Sequence, residues 1–169
     1  MDYCIYMKFP IRYLPRNLTN KDKRKQVSML FKSKKMYKRH KYYTRKNIPS
    51  YHNKPSNHIA TARKIYKIDK IKPNKQLALA TGCSIQSLRQ IVKKGEGAYF
   101  SSGSRPNQTP QSWGLARLAS SITSGKSAAV DYDILEKGCN HKKKAFILAR
   151  KSRKKYKFGH SSAKKITIL

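Results

Sequence analysis

The stretch "VDYDILEKG" (130–138) gathers Asp131, Asp133 and Glu136, three of the chain's seven acids. Carboxylates this close can pass a proton or hold Mg²⁺. They can equally complement the N-terminal end of a helix dipole, with Gly138 just past the helix end, and the pattern favours that. Cys83, Cys139 and His141 are potential metal ligands. With Cys4, however, the cysteines are odd in number, widely spaced and without a CxxC pair. Neither a zinc site on that spacing nor a disulfide framework is expected, and the thiols read as reduced and buried. "SGKS" (124–127) matches the end of a phosphate-binding loop, but Ser120 stands where that loop needs its first Gly, and no strand precedes it. His40, His52, His58, His141 and His160 are scattered, with no local Ser–His–Asp or Cys–His arrangement. No catalytic residue, cofactor, metal or small-molecule substrate is expected.

Charge is the chemistry that remains. Forty Lys and Arg against seven Asp and Glu give a formal net charge of +33. Like charges repel in a compact state, and a small domain needs a net charge of only about 2–8 for solubility. The excess calls for a polyanionic partner. Nucleic acid comes first, because neutralised phosphates release their condensed counterions; an anionic membrane surface or an acidic protein face comes second. The candidate contacts are Arg24, Lys34, Lys35, Arg39, Lys41, Arg45 and Lys46 in the first third of the chain. Arg89, Lys93, Lys94 and Arg105 follow in the middle, and Arg150, Lys151, Arg153, Lys154 and Lys155 near the end. Tyr residues interleave with these cations in "KKMYKRHKYYTRK" (34–46). Such rings either stack on bases and guanidinium planes or pack a small core.

The elements that must position these groups are mostly helical. Residues 1–18 read as an extended arm, broken by Pro10 and Pro15 and strand-like at "YCIYMKF". A helix starts at Thr19 or Asn20 and carries Val27, Leu30 and Phe31 on one stripe. A second spans about 56–66, capped by Ser56 or Asn57. From Asn74 to Lys94, Ala78, Gly82 and Leu88 have helix-turn-helix spacing. Ser84 caps the second helix, and Gln86, Ser87, Arg89 and Gln90 are expected to face outward. An ordinary helical hairpin would use the same small residues. Between Gly95 and Gly125 there is no Lys, and the only Arg residues are Arg105 and Arg117. Residues 95–108 read as a loop. Thr109 and Pro110 start a helix running to about Thr123. Trp113, Ala116, Leu118, Ala119 and Ile122 are too apolar for a surface element, so this stretch is expected to be core; the alternative is a nest of backbone N–H groups with Arg105 as a phosphate clamp. A last helix covers about 141–153, and "KKITIL" could add an edge strand.

The expected fold is therefore mainly α: one compact helical domain over 19–153 with a helix-turn-helix-like hairpin, an extended basic arm at 1–18 and a basic tail at 154–169. No run reaches the roughly 18–20 apolar residues of a membrane span, and the N-terminus lacks a continuous apolar signal region. Cytoplasm, nucleus or an assembled particle is the expected location, with "RKSRKKYK" (150–157) as a nuclear address or a phosphate-binding tail.

The segment "GAYFSSGSRPNQTPQSWGLARLASSITSGKSAAVDYDILEKGC", with "YLPRNLTNKDKRKQ", "YYTRK", "SNHIATARKIY" and "TGCSIQSLRQIV", resembles a small family of basic proteins encoded by large double-stranded DNA viruses of algae and other eukaryotes. The resemblance covers about residues 13–140. It brings no catalytic residues with it. It implies a virion protein, a minor capsid or capsid–DNA bridging component made in the host cytoplasm or nucleus, with capsid proteins and viral DNA as partners. A helix-turn-helix regulator and, behind it, a nucleic-acid-processing enzyme are the alternatives.

Overall fold

A computed structural model describes residues 7–157, 159 and 164–168. The elements in chain order are β1 (Met7–Pro10), α1 (Asn20–Tyr37), α2 (Asn57–Tyr66), α3 (Lys75–Thr81), α4 (Ile85–Ser101), α5 (Pro110–Ser121), α6 (Lys126–Val130), α7 (Tyr132–Gly138), α8 (Lys144–Tyr156) and β2 (Lys165–Ile168). The fold is mainly α. The chain divides into two compact units whose segments alternate along the sequence. One takes residues 1–53, 98–109 and 162–169, and the other 54–97 and 110–161.

In the first unit, Thr19 caps α1 by accepting the Asp22 N–H at 3.2 Å, as its side-chain chemistry predicts. Burial along α1 falls on Asp22, Gln26, Met29, Leu30 and Ser33, a single stripe of helical period. Met29 joins Leu14, Leu18 and Ile48 in a small core, with Val27, Tyr43 and Tyr51 packed against it. Because that core is thin, polar side chains carry much of the ordering. Asn107 Oδ1 accepts the Ile48 N–H at 2.6 Å, and its Nδ2 donates to the Ile48 carbonyl at 3.1 Å. The basic connection after α1 is thereby tied down. The ends expected as separate extended arms pair with each other: β1 and β2 run antiparallel, with Lys8 opposite Thr167 and Phe9 opposite Ile166. Phe9 is buried and meets the Phe31 ring edge-on at 5.5 Å. The strand residues 3–6 of the expected arm, Cys4 and His160 lie outside the described residues.

In the second unit, Ser56 caps α2 and Asn74 caps α3. Gly82 ends α3 at φ +75°, the left-handed conformation that glycine adopts most readily, and a Cβ there would meet the Lys143 side chain. The core brings together Ala62, Leu77, Leu88, Ile91, Leu118, Ile122, Leu135 and Phe146. Helix α4 does not stop at Gly95 as expected; it continues through Gly95 and Gly97 to Ser101. The reason is a close crossing of helices. A Cβ on Gly95 would lie 2.6 Å from Gly114 Cα, and one on Gly114 would lie 2.6 Å from the Val92 carbonyl oxygen. The bare backbones of α4 and α5 touch there, and the contact offsets the low helix propensity of Gly, about 1 kcal/mol below Ala.

The cysteines also depart from expectation. Cys83 and Cys139 form a disulfide across 56 residues. They sit opposite each other in an isolated antiparallel bridge, flanked by the Ser84 N–H on the Gly138 carbonyl at 2.8 Å and the Asn140 N–H on the Gly82 carbonyl at 2.7 Å. This staples the α3–α4 turn to the end of α7.

Candidate nucleic-acid interface

The helices that bury a narrow stripe leave the remaining circumference to cations. On α1, Arg24 and Lys35 are exposed, and Arg39, Lys41 and Lys46 follow in the exposed connection. Lys34 is half-buried, with Nζ 5.2 Å from the centre of the Phe9 ring. On α8 the buried residues are Ala145, Phe146, Ala149 and Ser152. Arg150, Lys151, Arg153, Lys154 and Lys155 therefore face water. Arg153 lies over the Tyr132 ring at 4.2 Å and Arg150 over Phe146 at 5.4 Å. Arg89 and Lys93 are exposed on α4, and Arg105 is exposed in the loop after it. Among the described residues, the ion pairs of Lys and Arg side chains are Lys94 and Arg117 with Asp131. The other cations named here have no carboxylate of the described residues in contact, so their field is directed outward.

Two of the expected contacts have other roles. Arg45 is 8% exposed. Its Nη1 donates to Ser33 Oγ at 3.0 Å and the Tyr99 carbonyl at 2.9 Å, its Nη2 donates to Ser104 Oγ at 2.8 Å, and its guanidinium lies 3.8 Å from the Tyr99 ring centre. Burial pulls its pKa below the ordinary arginine value, while the hydroxyls of Tyr99, Tyr13 and Tyr43 act the other way. Arg45 belongs to the interior and leaves the surface set. Lys94 stays partly exposed, but its Nζ is 3.3 Å from Asp131. The fully buried Asp131 carboxylate also receives Arg117 Nε at 2.9 Å, Arg117 Nη2 at 2.7 Å and Ser121 Oγ at 3.0 Å. Asp131 is thus the electrostatic tie of α4, α5 and the α6–α7 junction, whereas Asp133 and Glu136 are exposed.

The hairpin of α3 and α4 has the expected Gly82 turn, and Leu88 is fully buried. Ser87, expected to face outward, is buried: its hydroxyl accepts from Ser84 Oγ at 2.8 Å and sits where a side chain at 138 would have to go. The Gly138–Cys139 segment thus covers the Ser87 side of α4, while Gln86, Arg89 and Gln90 stay exposed on the part of a recognition helix that would reach base edges. The "SGKS" amides are used internally as well. Gly125 N–H donates to the Ser120 carbonyl at 2.9 Å, and Ser127 N–H to Ser120 Oγ at 3.3 Å. The disulfide removes the thiols of Cys83 and Cys139 from metal binding, and His141 stacks on Phe146 at 4.0 Å. Among the described residues no group of three His, Cys, Asp or Glu could hold a metal ion, and no helix is long and apolar enough to cross a membrane.

The Lys-poor stretch is core in part: Ser101, Ser102, Arg105, Thr109 and Gln111 are exposed, and Ala116, expected in the core, is half-buried. Gly95, Tyr99, Gly103, Ser104, Leu118, Ala119 and Ile122 are buried, although Trp113 is only half-buried. One aromatic group is not evident from local sequence. Phe100, on the last turn of α4, lies 5.1 Å from Tyr42 and 6.4 Å from Tyr37, centre to centre. The signal for it is the spacing of Leu88, Ile91, Gly95 and Tyr99, all buried, which carries the helical period past the glycines.

No curated protein and no solved structure matches the chain. A family model described as a family of unknown function, DUF5824, matches residues 10–140. With most of its length matched, the chain belongs to that family.

Proposed function

We propose that this is a non-enzymatic, nucleic-acid-neutralising structural protein of a virion, a minor capsid or capsid–DNA bridging component. The observation that carries it is the outward charge: a net +33, with Arg24 and Lys35 on α1, Arg89 and Lys93 on α4 and Arg150, Lys151, Arg153, Lys154 and Lys155 on α8 exposed and, among the described residues, in no ion pair. Such a surface binds polyphosphate chains through counterion release and without base selection. The viral setting rests on the resemblance of residues 13–140 to basic proteins of large DNA viruses, and capsid proteins are the second partner in this reading. Mass spectrometry of purified particles of the encoding virus is the test. Many copies per particle are expected. A protein abundant in infected cells but absent from particles would overturn the structural role. That outcome would favour a regulator built on the α3–α4 hairpin, where Arg89, Gln90 and Lys93 are exposed.

A further inference from the structure

Tyr42 is 68% exposed, an unusual position for a large ring in so charged a segment. Its place is fixed from both sides. After α1 the chain reverses at His40, φ +55°, and the Lys41 N–H returns to the Met36 carbonyl at 2.9 Å. Beyond it, the Arg45 N–H donates to the Tyr99 hydroxyl at 2.9 Å. Between these anchors Tyr42 meets Tyr37 at 6.2 Å and Phe100 at 5.1 Å, and Phe100 leans edge-on against the buried Tyr99 at 5.1 Å. The exposed cations Lys38, Arg39 and Lys41 precede Tyr42 directly in the chain.

We infer that Tyr42, backed by Tyr37 and Phe100, is a stacking platform for unpaired nucleobases, and that its ligand is single-stranded nucleic acid. The inference rests on the nucleic-acid reading above and adds to it: the cations take duplex and single strand alike, and this ring adds a contact that only unpaired bases can make. Cations alone serve a duplex or any other polyanion. An exposed ring held against other rings adds something only where base faces are open, because a duplex keeps its bases stacked inside. Every base has such a face, so the platform is tolerant of sequence. Its rigidity lowers the ordering cost of binding.

Fluorescence anisotropy of the full chain at about 0.15 M salt tests this with strands of about 12 nucleotides: oligothymidylate DNA, oligouridylate RNA, an abasic DNA strand and a DNA duplex, with inorganic polyphosphate as competitor. The base-bearing strands should bind more tightly than the abasic one. Tyr42→Ala should weaken them about fivefold or more and leave the duplex unchanged; Tyr42→Phe should retain binding, and Phe100→Leu should weaken the same strands. A preference for DNA or RNA assigns the source, and either supports the platform. If Tyr42→Ala leaves single-strand binding unchanged, or weakens duplex and single strand alike, the platform is overturned. Equal binding of abasic and base-bearing strands overturns it while the charge-based reading stands. Binding of single strands without duplex or polyphosphate does the reverse.

Discussion

A guanidinium taken out of water needs acceptors for its N–H groups, and Arg45 finds them in two serines and a main-chain carbonyl rather than a carboxylate. The planar fork matters here. An ammonium in its place donates from one nitrogen and does not reproduce the fork, in which Nη1 serves Ser33 and the Tyr99 carbonyl and Nη2 serves Ser104, and it would lose the planar stacking on Tyr99. Arg45→Lys should therefore cost about 1.5–3 kcal/mol, read as a lowered melting midpoint. An unchanged midpoint would return Arg45 to the surface cations. Nothing in "TRK" (44–46) separates Arg45 from its exposed neighbour Lys46, because the difference is made by residues 12, 54 and 59 positions away. Local spacing could not reveal it. The Thr19 and Ser56 caps were legible for the opposite reason: each cap satisfies an amide three residues on.

Among the elements, the crossing of α4 and α5 is set by Gly95, which looks like a loop signal in the sequence, and Gly114, which stands inside the expected helix. Gly114→Ala gains helix propensity but drives a methyl group toward the Val92 carbonyl. The overpacking should win, with a net loss of about 1–3 kcal/mol in denaturant titration. A stabilised variant would mean that α4 and α5 do not approach this closely. The disulfide is a second element-scale tie. Closing a loop of this length contributes up to about 4 kcal/mol through the unfolded chain. Reductant, or Cys139→Ser, should therefore lower the melting midpoint of the second unit. Indifference to reductant would show the thiols free. The pairing was hidden because 56 residues separate the partners and an odd cysteine count points away from a framework. By contrast, the Gly82 turn and the buried Leu88 follow from side-chain size at fixed offsets, and the hairpin was readable to that extent. On its outward face Gln86, Arg89 and Gln90 are exposed as expected, and Ser87 is not, since Gly138 covers it only after the chain has folded back.

At the scale of the whole molecule, the total charge was legible from composition, but its division between two units was not, because the segments of each unit alternate along the chain. The consequence for binding does not depend on that division. Exposed cations on α1 and α8 each follow from a helix that buries only one stripe. If about 6–10 phosphates are neutralised, duplex affinity should fall about 10³–10⁵-fold between about 50 and 200 mM salt, with little difference between sequences. The triple variant Arg150→Gln, Lys151→Gln, Lys154→Gln changes only exposed residues of α8. Its fold should hold, and its log affinity against log salt should flatten by about 0.9 for each phosphate that is no longer neutralised, equally for scrambled and selected duplexes. Isothermal titration across a salt series reads both quantities. A slope unchanged by the triple variant would remove α8 from the interface. A strong preference for one duplex that survives at about 200 mM salt would show base readout, and neutralisation by spread charge would then no longer describe how this protein meets DNA.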